Sequence, residues 1–256
     1  MSASPYVPPS RSGAIPTGRF RQNHNLGIAA SVAVGVVVPA SAFTSYTDLH
    51  LAAAVRDYAY TGGDVAALND ADRLSRLGSL ANLVLFLVAG VLVIVWLWRA
   101  RANAQFFCDA PHRHRRGWVI GGWMVPIISL WFPVQVVDDV VRASSPYVWP
   151  RDGSLQAAPP AKVVRRWWGT YLGMNFTSLF ATTQQSNGLA APSASAALRG
   201  LDTGASLSIV STVLAVLSAI FMIQLIALVD RLQSSRLPIP WWQTPLNPPV
   251  PGPAPW

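Results

Sequence analysis

The run SLANLVLFLVAGVLVIVWLW, Ser79–Trp98, contains twenty residues and no ionisable side chain. About twenty apolar residues in a helix match the thickness of a bilayer's hydrocarbon core. The run closes on Trp96 and Trp98, and Arg99 and Arg101 follow at once. Indoles favour the membrane–water interface, and arginine or lysine beyond a span marks its cytoplasmic side. The segment reads as a transmembrane helix, and the rest of the chain has to be arranged around it.

Composition agrees. Only 12% of the 256 residues are charged and 52% are hydrophobic, whereas soluble domains carry about 25% charged residues. The net charge is +8, and the sole lysine among the 19 basic residues is Lys162. A nucleic-acid-binding domain would gather such charge on a soluble module. Here the basic residues flank apolar runs, which excludes that class. Cys108 is the only cysteine, so no intramolecular disulfide forms.

Three more segments read as spans. Leu26–Tyr46 is free of charge over 21 residues. Its Pro39-Ala40-Ser41-Ala42 stretch also resembles a signal-peptide cleavage site, but the spans that follow favour an uncleaved helix. Trp167–Thr183 is a modest span and Ser206–Val229 a strong one. Residues 1–25, with four prolines, read as a disordered cytoplasmic tail. The tail 231–256, with eight prolines between Pro238 and Pro255, favours polyproline conformation. It offers a docking segment for a protein partner. Between the first two spans, Thr47–Gly78 reads as a small helical hairpin outside the membrane, with Asp64 as an N-cap.

The stretch GWVIGGWMVPIISLWFPVQVVDD, residues 117–139, decides the topology. If it spans, there are five transmembrane helices, with 9 basic residues inside and 10 outside. If it enters and returns, there are four, both termini are cytoplasmic, and the division is 15 inside to 4 outside. The positive-inside rule selects the second arrangement. Pro126 and Pro133 each remove a backbone donor and interrupt the helix, and Pro133 suits the first turn of a new one. From there Val134, Val136, Val137, Val140 and Val141 alternate with Gln135, Asp138, Asp139 and Arg142 as in an amphipathic interfacial helix. The expected fold is an all-α integral membrane protein of four transmembrane helices plus a re-entrant or interfacial helical hairpin over 117–143. Its membrane domain is 26–230, and five spans is the alternative.

Several of these residues carry a resemblance. Trp96, Leu97, Arg99, Ala100 and Asn103, then Gly117, Trp118, Trp123, Pro126, Leu130, Trp131, Pro133 and Gln135, then Trp167 and Trp168 with Asn175 beyond them, form one pattern. It resembles a bacterial multi-pass membrane family known only as domain of unknown function 4328. In that family W-L-x-R-A-x-x-N precedes G-W-x-x-G-W-x-x-P-x-x-N-L-W-x-P-x-Q. Ser129 stands where the family usually has asparagine. The resemblance covers about residues 20–235. It implies a membrane location and no established activity.

The residues themselves indicate sites of modest specificity. Trp118, Trp123, Pro126, Trp131, Pro133 and Gln135 form the candidate turn or ligand region. Gly169 and Gly173, with Asn175, read as a helix-packing face. Asn82, Gln135, Asn175 and Gln224 are expected to hydrogen-bond between helices. Arg113, Arg115 and Arg116 suit anionic lipid headgroups. Cys108, His112 and His114 match no standard zinc spacing, so no metal or other cofactor is expected. Asp138 and Asp139 read as the polar face of an interfacial helix. The tryptophans read as interfacial anchors, with an aromatic lipid or quinone-like pocket as the lesser reading. No nucleotide, hydrolase or metalloprotease motif occurs. These features favour a non-enzymatic scaffold, sensor or interaction protein. A small transporter or channel and a lipid-active enzyme are the alternatives.

Overall fold

The structure, a computed structural model, describes residues 20–145, 155 and 160–236. These residues form helices and turns without a strand: α1 (His24–Thr61), α2 (Val65–Phe107), α3 (Trp118–Met124), α4 (Phe132–Ser144), α5 (Lys162–Leu189) and α6 (Ala194–Ser234), with a 3-10 turn at Ile128–Leu130. The tail up to residue 19, most of the 146–159 loop and the proline-rich segment from 237 onward lie outside the described residues.

The elements run longer than hydrophobicity alone suggests. α1 does not end near Tyr46 but continues to Thr61. Residues 47–61 hold four alanines, two leucines and no glycine or proline, so nothing stops the helix before Gly62. Gly62 takes φ +70°, the left-handed cap that favours glycine, and its N–H donates to the Tyr58 carbonyl. Asp64 then caps α2, accepting from the Ala66 N–H at 2.8 Å. The expected helical hairpin is thus made of the adjoining ends of α1 and α2. At about 1.5 Å per residue, the 43 residues of α2 reach about twice the thickness of a hydrocarbon core.

Three helices, α1, α2 and α6, are long and apolar enough to cross a membrane. The expectation of a fourth span rests on α5, which falls short of that measure because of its Thr, Asn, Gln and Ser residues. Along α1, α2 and α6 many large apolar side chains face outward, among them Val32, Leu83, Leu87, Val91 and Val213. That pattern suits a lipid surround and would be costly in water.

Helices α1 and α6 are joined at depth by hydroxyl groups. The Ser45 hydroxyl donates to the Ser208 carbonyl at 2.9 Å, and the Thr212 hydroxyl to the Ser41 carbonyl at 3.1 Å. Ser41 also donates to Asn82 on α2 at 3.2 Å. Such bonds and small side chains, rather than hydrophobicity, drive packing between helices in lipid. α5 lies along α6, α6 along α1, and α1 along α2, while α2 and α5 barely touch.

Contacts to the bundle begin earlier and end later in the described residues than the apolar runs suggest. Phe20 packs on Phe106 and Phe107. The Arg21 backbone N–H donates to Asn103 Oδ1 at 3.1 Å, and its carbonyl accepts from Asn103 Nδ2 at 2.8 Å. Residues 20–25, assigned above to a disordered tail, are therefore held by α2. At the other end α6 extends through Ser234, and the Arg236 guanidinium donates to the Ser145 carbonyl and lies over Phe107.

Candidate functional site

α3 and α4 form a helical hairpin at one end of the bundle. Pro126 ends α3 by forcing Val125 into extended geometry (φ −95°, ψ 113°), as expected of the residue before a proline. The turn closes through Ser129, whose hydroxyl donates to the Pro126 carbonyl at 2.7 Å. Pro133 sits in the first turn of α4, where its missing N–H leaves no bond unmade. Trp168 Nε1 donates to the Leu130 carbonyl at 3.0 Å and ties the turn to α5.

The hairpin returns to the end at which it started. Gly117 follows the short loop after α2, and Ser144 ends α4 beside the same helix. Gln233 of α6 joins the parts: its Nε2 donates to the Ala100 carbonyl at 2.8 Å and to the Ser144 hydroxyl at 3.0 Å. With only seven residues, α3 rises about 10 Å, a fraction of a bilayer's thickness. Twelve of the basic residues described lie at this end, from Arg21, the 99–116 stretch, Arg142, the start of α5 and the end of α6. Arg56, Arg73, Arg76 and Arg199 lie at the other.

The loop before α3 is folded onto α4 by ion pairs. Arg113 Nε donates to Asp139 Oδ1 at 2.7 Å and its backbone N–H to Asp139 Oδ2 at 2.8 Å. Arg113 Nη2 meets Asp138 at 2.6 Å, and Arg142 Nε meets the same carboxylate at 2.9 Å. Asp139 is wholly buried. The polar face of α4 is therefore covered by the 109–116 loop instead of lying open at the interface. His114 Nε2 is 2.6 Å from Gln135 Oε1, and its ring stacks on Phe132 at 3.9 Å. With both carboxylates engaged by guanidinium groups, the cluster holds the loop against α4.

Arg101 lies inside this platform, 1% exposed, with Nη2 donating to the His114 carbonyl and with Nε and Nη1 unpartnered. His112 beside it also has an unpartnered Nε2. Burial, and then the Arg101 charge, push the His112 pKa down to about 4. Among the described residues no three His, Cys, Asp or Glu side chains gather as a metal-ligand set.

The predicted residues fall into three groups. Trp118 packs edge-on to Phe132 at 4.8 Å, Pro133 is buried, and Gln135 holds His114. Pro126 makes the turn, while Trp131 stands 45% exposed beside it. Trp123 joins Trp167, Trp168 and Tyr171 in a cluster of rings 5.3–6.4 Å apart. Of the proposed lipid-binding arginines, Arg113 is taken up by Asp138 and Asp139, whereas Arg115 is exposed and Arg116 lies 4.3 Å over the Trp98 ring. On the packing face, Gly173 meets Leu214, but a side chain at Gly169 would meet open space. Asn175 donates to Tyr171 of its own helix at 2.8 Å rather than across helices, and Gln224 is exposed.

The closest approach of α5 and α6 is elsewhere, beside the turn that joins them. A Cβ on Gly200 would lie 2.6 Å from the Gly188 Cα, and one on Gly204 3.0 Å from the Ala181 carbonyl. Gly200-x-x-x-Gly204 has the same spacing as Gly169-x-x-x-Gly173 and is the signal that would have found it. Arg101 was legible too. It shares the stripe of Leu97, Ala100 and Ala104, all buried, whereas Arg99 points out.

A slot of about 300 Å³ opens where α2 and α5 fail to meet. Gly90 and Ile94 of α2, Tyr171 of α5, Ala219 of α6 and the α3 tip, Trp123 and Met124, are among its walls. The Trp123 Nε1 is buried without a hydrogen-bond partner.

Residues 60–231 match the family model described as a domain of unknown function (DUF4328). The match takes in α2 to α6 and omits most of α1. The chain belongs to this family. Neither a curated protein nor a solved structure matches it.

Proposed function

We propose that the protein is a multi-pass protein of the cell membrane with four spans, α5 being the fourth, and with both termini cytoplasmic. In this reading it is a non-enzymatic interaction protein, and its working surface is the basic platform formed by the α3–α4 hairpin. One observation carries the reading. The 117–144 segment leaves and rejoins the bundle at the end where twelve basic residues gather, the division expected if that end is cytoplasmic. The partly polar α5 is then acceptable as a span because it is packed along α6. Exposed Arg115 and Arg116 suit anionic headgroups, and the proline-rich tail suits a protein partner.

Replacing Cys108 by Ser, introducing Ser154→Cys and labelling intact cells with a membrane-impermeant maleimide tests the topology. Protection until the membrane is opened is the expected result. Labelling from outside overturns the four-span arrangement and its cytoplasmic platform.

A further inference from the structure

The slot between α2 and α5 is the feature the platform reading leaves unused. Apart from Ser218, its walls are apolar and aromatic side chains, over about 10 Å of α2 from Leu87 to Ile94. Water needs two to four polar partners to occupy a cavity, and apolar cavities stay dry. The Trp123 indole N–H on these walls is buried and unpartnered, a donor available to an acceptor on a ligand. At about 300 Å³ the slot is at the small end of ligand sites.

Charge surrounds one end of this slot. Trp167 lines it, and Arg165 and Arg166 precede Trp167 on α5, both exposed. An apolar slot with two exposed guanidinium groups preceding its lining residue Trp167 fits one class of molecule, a hydrocarbon chain carrying an anionic head.

We propose that the slot binds one acyl chain of an anionic phospholipid, its phosphate held by Arg165 and Arg166 and an ester carbonyl accepting from Trp123 Nε1. The inference rests on the membrane reading above and gives its platform a ligand. The α3 tip, through Trp123 and Met124, then forms part of the lipid site, so the re-entrant hairpin and the bound lipid support one another.

Gly90 makes the test clean. A Cβ there meets nothing within 4 Å, so Gly90→Leu fills the slot without colliding with the backbone, and leucine is a better helix former than glycine. The full-length protein, purified in mild detergent, is titrated with phosphatidylglycerol or phosphatidylcholine of identical chains and read by native mass spectrometry. One phosphatidylglycerol binds, about thirtyfold more tightly than phosphatidylcholine, since each interfacial arginine contributes about fivefold. Arg165→Gln with Arg166→Gln brings the two lipids to near-equal affinity. Gly90→Leu abolishes binding of both while circular dichroism and melting stay native. Equal binding of the two lipids by the parent protein, undiminished binding in Gly90→Leu, displacement by inorganic phosphate alone, or a neutral isoprenoid in the slot would each overturn the proposal. Failure here with Ser154→Cys protected from outside leaves the topology standing. Lipid binding with Ser154→Cys labelled from outside sinks the topology alone.

Discussion

The side-chain amide of Asn103 donates to Gln233 Oε1 at 3.1 Å, joining residues 130 positions apart in the chain. Both side chains are buried. Through them the start of α1, the end of α2, the end of α4 and the end of α6 meet at one joint, because Asn103 also binds Arg21 and Gln233 also binds Ala100 and Ser144. Asn103→Ala strips the partner from the buried Gln233 Oε1 as well as from the Arg21 backbone, and a buried polar group left unpaired costs about 1–3 kcal/mol. Asn103→Ala and Gln233→Leu should each lower the melting temperature in detergent, and together by less than their sum. Strict additivity in that double-mutant cycle would show the joint is not a unit.

Arg113 should be worth more to folding than Arg115. Removing it leaves the wholly buried Asp139 carboxylate without its guanidinium, and breaking a buried pair costs about 3–5 kcal/mol. Arg113 is itself about one-third exposed, so the lower part of that range is expected. Arg113→Ala is compared with Arg115→Ala by denaturant titration. Equal stability of the two variants would refute the structural role.

Acid should destabilise the platform through His112. Its folded-state pKa of about 4 lies below the ordinary histidine value of 6.5. The unfolded chain therefore binds the proton first. The stability tied to neutral His112 is complete above pH 6.5 and falls away as pH drops towards 4, by about 3 kcal/mol in all. His112→Gln should flatten melting temperature against pH across that window. An unchanged slope would mean other groups set the acid limit.

The outer glycines offer a contrast with Gly169. Gly200→Ala drives a methyl into the backbone of Gly188 and Gln184 and should cost about 1–3 kcal/mol or more. Gly169→Ala enters open space and should be neutral or gain up to about 1 kcal/mol from helix propensity. Thermal melting of the two variants decides it.

Much of this was legible in the sequence, for identifiable reasons. Uncharged runs marked α1, α2 and α6, and the proline pair with the flanking basic residues indicated a hairpin that turns back. What hydropathy could not give was the reach of the helices beyond the apolar runs. Helix extent is set by stop signals such as Gly62, whereas a hydropathy window registers only the change of solvent. The pairing of Arg113 with Asp139 was hidden for another reason. Twenty-six residues separate them, and a basic loop looks solvated until the acidic face that covers it is known. Gly169-x-x-x-Gly173 lies in an apolar run, but the close backbone approach is at Gly200 and Gly204, in a stretch whose small polar residues draw no attention to it.

Continuity of α2 from Val65 to Phe107 has a mechanical consequence. No proline interrupts it, and its outer tip is bound to α1 through Gly62 and Asp64 while its inner end carries Asn103. An uninterrupted helix of this length, about 64 Å, fixes the separation of the two ends. The α3 tip, Trp123 and Met124, and mid-α2 at Gly90 and Ile94 face the same slot, between the two ends.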